Sequence, residues 1–554
     1  MVERLSLGAA VERHVRPGDT VHVAMGHHRW TALARETCRQ FWGGDAGIEL
    51  VMGSLGSLGV LFFRGGLLRK VVTAYSGDAF PTYAPNPVFT RAYAAGEVEV
   101  EHWSFLTLRR RLAAAAQGLP AVTTRPLGRT SFAANPAYSE VETAAGPVGL
   151  LAPLVPDVTL LHAVLADEAG NLACAPPGLD GVDGAWAARR GCVATVERVV
   201  DDLSAFAGLV RIPAHRVLAV VEAPFGAHPG GVYGAPLRQP GYAEDTDAWV
   251  EARRAARGDL DAWARATCLD VATHEDYLAA VGPDRLQRLV TRLHPAPGPP
   301  PEPAPDVRPE ATAWEAAATY AAREVSARTL ALRADGVLAG AGVANLAAWV
   351  GVASARAAGS PVRLTAELGL WGYTPTPGSP FIFEFRSFPS AELLGDAETV
   401  LGLLVGGPGT VVLGCLGAAE VDDRGDVNST LLAGGRPLVG AGGGTDVAVG
   451  ADEVVVVTLL RPERTPRRVA YVTAPGDRVT AVVTDRGLLR RRDGRLRLAA
   501  VPAGANPLRE RVRTAVDSCG WDLEVDREVS ELAAPEAPEL AALRRYDPQG
   551  FFLC

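Results

Sequence analysis

Apolar residues fall in short, nearly unbroken runs along the chain. VHVAM (21–25), VTLLHAVLA (158–166), VLAVV (217–221), VLAGA (337–341), VVLGCL (411–416) and EVVVVTLL (453–460) are the clearest. Runs of this length, rich in β-branched residues and without polar alternation, predict strands buried on both faces of a parallel sheet. Helix-forming stretches separate them. The most evident is WEAAATYAAREVSARTLALRA (314–334), dense in Ala, Arg and Glu. Strands alternating with helices predict an α/β chain.

The pattern occurs twice. VRPGDTVHVAMGHHRWTALARE (15–36) and LRADGVLAGAGVANLAAWVGV (332–352) both read as acidic turn, apolar strand, glycine turn, helix. VTLLHAVLADEAGNLA (158–173) and VVLGCLGAAEVDDRGDVNST (411–430) both run from a buried strand into Asp-x-x-Gly. There Asp supplies a turn carboxylate and Gly a positive φ. Between the repeats, PAPGPPPEPAPDVRP (295–309) is more than half proline and suits a semi-rigid extended spacer. The expected architecture is two tandem related α/β domains with mostly parallel sheets, 1–294 and 311–554. A Pro-rich linker, 295–310, joins them, and a site is expected between the two.

Composition narrows the function. With 554 residues, 48% of them hydrophobic, the chain is globular and large enough for several cores. A net charge of −9 argues against a general nucleic-acid binder. The seven cysteines are scattered and form no CxxC pair, which argues against a disulfide framework or a metal cluster and for the cytoplasm. MVERLSLGAAVERH lacks the apolar core of a signal peptide. Residues 337–355 and 399–419 are uncharged, but glycines interrupt both, so neither reads as a membrane span.

Candidate chemistry sits on glycine loops and one carboxylate. GHHRW (26–30) and AGAGVAN (339–345) each follow a strand and precede a helix, where backbone N–H groups suit a phosphate or an oxyanion. Neither completes GxGxxG, and GSLGSLG (53–59) has the wrong spacing for a dinucleotide fingerprint. In GRPLVGAGGGTDVA (435–448), Gly440, Gly442, Gly443 and Gly444 leave the backbone bare, either as a surface turn or for close approach to an extended ligand. His27 and His28 are either acid/base groups or polar loop residues. His228, in EAPFGAHPGGVYG, lines a cleft or caps a loop. No GxSxG elbow or HExxH helix is present. Glu367 stands where VRLTA meets Gly369. It is either an edge carboxylate paired with Arg363 or Arg386, or a nucleophile able to attack a thioester. In the second case Gly369 would leave room for the thioester.

Taken in order, PGDTVHVAMG (17–26), the long stretch 85–128, LLHAVLADEAGN (160–171), EAPFGAHPGGVYG (222–234), AELG (366–369), LGAAEVDDRGDVNST (416–430) and LVGAGGGTDVA (438–448) resemble class I coenzyme A-transferases. The resemblance is to the glutaconate CoA-transferase type, with α and β subunits fused. It implies that Glu367, in Glu-x-Gly context, is the catalytic nucleophile, forming an acyl anhydride and then a glutamyl-CoA thioester. It implies a CoA-binding role for Gly440, Gly442, Gly443 and Gly444, and an oxyanion or substrate role for Gly26, His27, His28, Arg29 and Gly369. Arg29 or Arg386 would suit an acyl carboxylate. Substrates would be an acyl-CoA and a carboxylic acid, with no permanently bound cofactor or metal and no nucleic-acid or membrane partner. Homo-oligomers are compatible with the resemblance.

Two departures, the bulky GHHRW loop and the LWGYTP continuation after Glu367, imply a changed pocket. Relatives of this fold also carry out hydrolysis, decarboxylation or C–C cleavage on CoA thioesters, and some only bind ligands. The histidines and Glu101, in EVEVEHWSF, keep those readings open. Otherwise Glu101 caps or supports the helix that follows.

Overall fold

The computed structural model describes residues 2–25, 32–294 and 310–554. The expected linker, apart from residue 310, lies outside them.

In the first half the apolar runs become one sheet. Its strands are β1 (Glu3–Arg4), β2 (Thr20–Val23), β3 (Ile48–Val51), β4 (Leu68–Thr73), β5 (Glu99–His102), β6 (Val158–Asp167), β7 (Cys192–Val200) and β8 (Val217–Glu222). They lie in the order β1-β8-β7-β6-β2-β3-β4-β5, every pairing along this path parallel, and two further short strands, Leu172–Ala173 and Val210–Ile212, add antiparallel beside β6. In β6 only Asp167 is not buried, as the unbroken apolar run requires. Its helices include α1 (Ala32–Phe41), α2 (Phe105–Ala116), α3 (Thr246–Ala255), α4 (His274–Val281) and α5 (Pro283–Leu293). A capping box of Ser104 and Thr107 starts α2 where β5 ends.

The second half builds another sheet from β9 (Gly336–Ala339), β10 (Arg363–Ala366), β11 (Leu370–Trp371), β12 (Leu393–Leu394), β13 (Val412–Gly417), β14 (Glu453–Val457), β15 (Val479–Val483), β16 (Leu488–Arg492), β17 (Arg495–Pro502) and β18 (Val525–Leu532). The order is β12-β11-β10-β9-β13-β14-β15-β16-β17-β18. β10, β9, β13, β14 and β15 are mutually parallel. Both margins turn antiparallel, except that the outermost pair, β17 and β18, is parallel. At the β16–β17 hairpin, Asp493 and Gly494 take φ of 49° and 79°, the two-residue turn that Asp-Gly favours. Helix α6 (Ala313–Leu332) packs along α7 (Val343–Ala357), and α8 (Gly444–Gly450) follows the glycine loop. The fold is therefore α/β, with a large, mostly parallel sheet in each of two halves.

A single apolar core runs through both halves; Met25, Phe105, Phe381 and Val447 all belong to it. Polar contacts reinforce the seam. Arg109 bonds Asp183 (2.8 Å) in its own half and Asp396 (2.9 Å) in the other, and Arg110 holds Glu398 at 2.6 and 3.1 Å. Among the described residues no helix is long and apolar enough to cross a membrane.

Candidate active site

Glu367 begins the turn that closes β10. Ala366 pairs with Leu370 and Thr365 with Trp371, so residues 367–369 form the tip of a tight hairpin. Gly369 takes φ of 111°, and a Cβ there would sit 2.6 Å from the Gly395 carbonyl oxygen. Only glycine fits that backbone and that approach. Its absent side chain thus serves the hairpin, and Gly369 does not line the cleft described below. Glu367 itself is half-buried.

Residues 439–444 face this tip, held by the other half. The Ser76 N–H donates to Val439 O (2.7 Å), the Gly442 N–H to Ala74 O (2.9 Å), and the Phe105 N–H to Gly442 O (2.9 Å). Beneath the loop, Asp446 accepts from Ser104 Oγ (2.6 Å) and the Leu106 N–H (3.2 Å). Burial, the largest influence, pushes the Asp446 carboxyl up to about 7 in spite of those bonds. A Cβ on Gly443 would lie 2.2 Å from Glu367 Oε2 and 3.0 Å from its Cδ; one on Gly442 would lie 3.9 Å from Oε1. The missing side chains let the carboxylate rest against bare main chain.

Both groups open into a cleft of about 550 Å³ between the halves. Ser54, Tyr75 and Phe105 line it from the first half. Gly340, Gly342, Glu367, Gly440 and Gly442 to Gly444 line it from the second. The N-terminus of α7 meets the cleft at Gly342 and Val343, which brings the positive end of a helix to it. Arg464 also lines it, with its guanidinium carbon 5.3 Å from the Trp314 ring centre. Phe383, Phe551 and Phe552 supply apolar wall. A carboxylate beside unblocked backbone, in a cleft with apolar walls and a helix N-terminus, is arranged for attack on an acyl carbon. A second cavity, of about 450 Å³, is lined by Arg109, Cys174, Asp183 and Asp396 and does not include Glu367.

The structure thus brings together Glu367, Gly440, Gly442, Gly443 and Gly444. Gly26, His27, His28 and Arg29 lie outside the described residues. Three other candidates are engaged away from the cleft. Glu101 lies on β5, where it accepts from Trp103 Nε1 (2.7 Å), Arg111 Nη1 (2.7 Å) and Lys70 Nζ (2.6 Å). Burial pushes its carboxyl up, but the Lys70, Trp103 and Arg111 contacts prevail and hold it at about 2. It does not cap α2; Ser104 does. Arg386 donates to Glu384 (2.9 Å), a buried carboxylate that also bonds Arg292 (3.1 Å). Arg363 is held by Glu392 at 2.7 Å, so neither arginine proposed for Glu367 is spent on it. His228 is buried between Tyr277 Oη (2.7 Å) and Asp245 Oδ2 (3.0 Å).

Ser54, Tyr75, Phe105 and Arg464 were not legible as site residues. GSLGSLG offered Ser54 only as a mismatched fingerprint, and the others become neighbours through contacts across the seam.

Four likenesses bear on this site. Residues 4–223 match the family model described as coenzyme A transferase. One subunit of the 3-oxoadipate CoA-transferase of Pseudomonas knackmussii is 31% identical over 276 residues, covering 48% of this chain and 95% of its own length. Another subunit of the same enzyme is 27% identical over 225 residues, covering 35% of this chain and 84% of its own length. Among solved structures, an acyl-CoA transferase from Escherichia coli O157:H7, captured as a thioester complex with CoA, aligns with a TM-score of 0.67. It covers 98% of this chain and 97% of its own at 15% identity, which is a likeness of fold.

Proposed function

Because the chain belongs to the coenzyme A transferase family, we propose that this transferase moves CoA from an acyl-CoA to a carboxylic acid through covalent intermediates on Glu367. The carboxylate attacks the thioester carbonyl, giving a mixed anhydride and CoA thiolate. The thiolate then attacks the glutamyl carbonyl, releasing the first acid and leaving a glutamyl-CoA thioester. The acceptor carboxylate attacks that thioester, and the returning thiolate takes the acceptor's acyl group, so Glu367 ends as it began. Each step exchanges one acyl–oxygen or acyl–sulfur bond for another and uses no water.

The observation that carries this reading is the Glu367 carboxylate lying against Gly443, where a Cβ would stand 2.2 Å from Oε2. The Gly443 N–H donates to no carbonyl among the described residues and is suited to a tetrahedral oxyanion. Gly440, Gly442 and Gly444 would let pantetheine lie along the main chain. The α7 N-terminus and Arg464 would favour the anionic end of CoA. Phe105, Phe383, Phe551 and Phe552 would keep water from the anhydride.

We read residues 1–294 as α-like and 311–554 as β-like, fused through 295–310. The matches of this one chain to two different subunits of one enzyme support the fusion. Gly26, His27, His28 and Arg29 are proposed for the acyl side of the site. The glutaconate type remains part of the proposal.

Mass spectrometry of the intact protein mixed with acyl-CoA tests the reading. A gain of the coenzyme mass, lost on hydroxylamine treatment and absent from Glu367→Ala protein, is expected. Free acid released without any acceptor and with no adduct would replace transfer by hydrolysis, and carbon dioxide released with the thioester kept would replace it by decarboxylation.

A further inference from the structure

One buried carboxyl beside the cleft takes no part in the chemistry proposed above. Asp446 stands in the first turn of α8, where an acid ordinarily serves its own helix. Its carboxylate instead crosses the seam to the start of α2, where Ser104 lies 342 positions away in sequence. There it accepts from Ser104 Oγ (2.6 Å) and the Leu106 N–H (3.2 Å). It is 2% exposed and has no ion-pair partner among the described residues. The charged groups around it are Arg110 on α2, Arg125, whose Nη1 lies 3.5 Å from the Cβ position of Gly450 on α8, Glu398, which grips Arg110, and Asp477 and Arg478 on the turn packed against α8. Glu367 stands on the cleft side, against Gly443.

Those two bonds set the loop. Gly443 immediately precedes α8, and its carbonyl accepts from the Val447 N–H (3.0 Å). Asp446 lies within the same turn, so fixing its carboxylate fixes the turn that presents Gly443 to Glu367. The main-chain bonds of Gly442 to Ala74 and Phe105, both 2.9 Å, do not depend on protonation. The Asp446 bonds do. An ionised carboxylate only accepts, and here each oxygen faces one donor. A proton on either oxygen places a third hydrogen among those donors and removes the charge that strengthens both bonds.

We propose that Asp446 is a positioning residue: as a carboxylate bonded to Ser104 and Leu106, it seats the glycine loop of one half on the other, so that Gly443 meets Glu367 in the geometry for attack. The inference rests on Glu367 being the nucleophile. Burial lifts the Asp446 carboxyl from an ordinary 3.8 to about 7, so the seat changes state across neutral pH. The folded chain then holds this proton more tightly than the unfolded one. Protonated Asp446 stabilises the fold, and that contribution is lost as pH rises from about 4 to 7. Attack is therefore fastest where this part of the fold is least stable.

The test is the rate at which intact protein gains the coenzyme mass on mixing with acyl-CoA, followed from pH 6 to 8 beside urea midpoints. Wild type should gain the adduct roughly tenfold faster at pH 8 than at pH 6, since a carboxyl near 7 is ionised to about a tenth at the lower pH and nine-tenths at the higher. Asp446→Asn, a neutral isostere that opposes one donor with its own N–H, should run near the slow rate throughout. Its urea midpoint should gain on wild type as pH rises. Loss of a merely structural bond would lower rate and midpoint together, with no pH limb. If Asp446→Asn does not fold, the wild-type profile decides alone. Equal wild-type rates at pH 6 and 8, an Asp446→Asn rate equal to wild type at pH 8, or a midpoint difference that ignores pH would overturn the positioning role and leave Glu367 as nucleophile. No adduct on wild type at any pH would remove the nucleophile, and this inference with it.

Discussion

Adding one methyl group at Gly443 should separate catalysis from stability. Gly443 has φ of −93° and ψ of 2°, which alanine adopts without strain. Its new Cβ would stand 2.2 Å from Glu367 Oε2, roughly 1 Å short of a comfortable contact. The nearest obstacle is the far end of a flexible side chain, so the carboxylate moves and the backbone stays. Folding stability should change by less than about 1 kcal/mol. A displacement of about 1 Å at the reacting group is expected to lower kcat roughly 100-fold, equivalent to ~2.7 kcal/mol of barrier. Gly409→Ala is the control: nothing lies within 4 Å of its Cβ position, and it is exposed and lines no part of the cleft. Its activity should stay within about twofold of wild type. Steady-state acyl-CoA transfer and urea unfolding, run on all three proteins, decide the matter. If Gly443→Ala turns over like Gly409→Ala, the reasoning that Glu367 works from its position against that glycine is wrong.

Other outcomes follow from the same geometry. Glu367→Ala should abolish transfer, and Glu367→Asp should impair it at least 100-fold, because one methylene withdraws the carboxylate from the loop; both are read by the same rate assay. Glu101 has a folded value of about 2 against an ordinary 4.5, so it stabilises the fold above the ordinary value and loses that contribution as pH falls toward 2. Wild type should exceed Glu101→Gln by roughly 2 kcal/mol at pH 7, after allowance for screening. The gap should close progressively below about pH 4.5, as read from urea midpoints. Arg109→Met leaves Asp183 and Asp396 without their shared cation at the seam, and should cost about 3 kcal/mol in urea unfolding.

The parallel core of both sheets was legible because strands buried on both faces must be apolar throughout, as in β6 and β14. The antiparallel end of the second sheet was also written in the chain, in RRRDGRLRL, where alternation and Asp493-Gly494 mark a hairpin. Glu367 and the 440–444 glycines were legible because their chemistry is local. Gly369 was misjudged because its neighbour, Gly395, lies 26 residues on in sequence. Glu101 braces the helix that follows through Arg111, one of the roles expected of it, whereas Arg386 was misjudged because its partner Glu384 is buried and bridged to Arg292, at the end of α5, only through the fold.

The most direct measurement follows an oxygen atom. After a single turnover with an acceptor carboxylate labelled in both oxygens with heavy isotope, the peptide containing Glu367 should gain the mass of one heavy oxygen, since the anhydride leaves one behind. CoA transfer to the labelled acid with that peptide unlabelled would contradict the account.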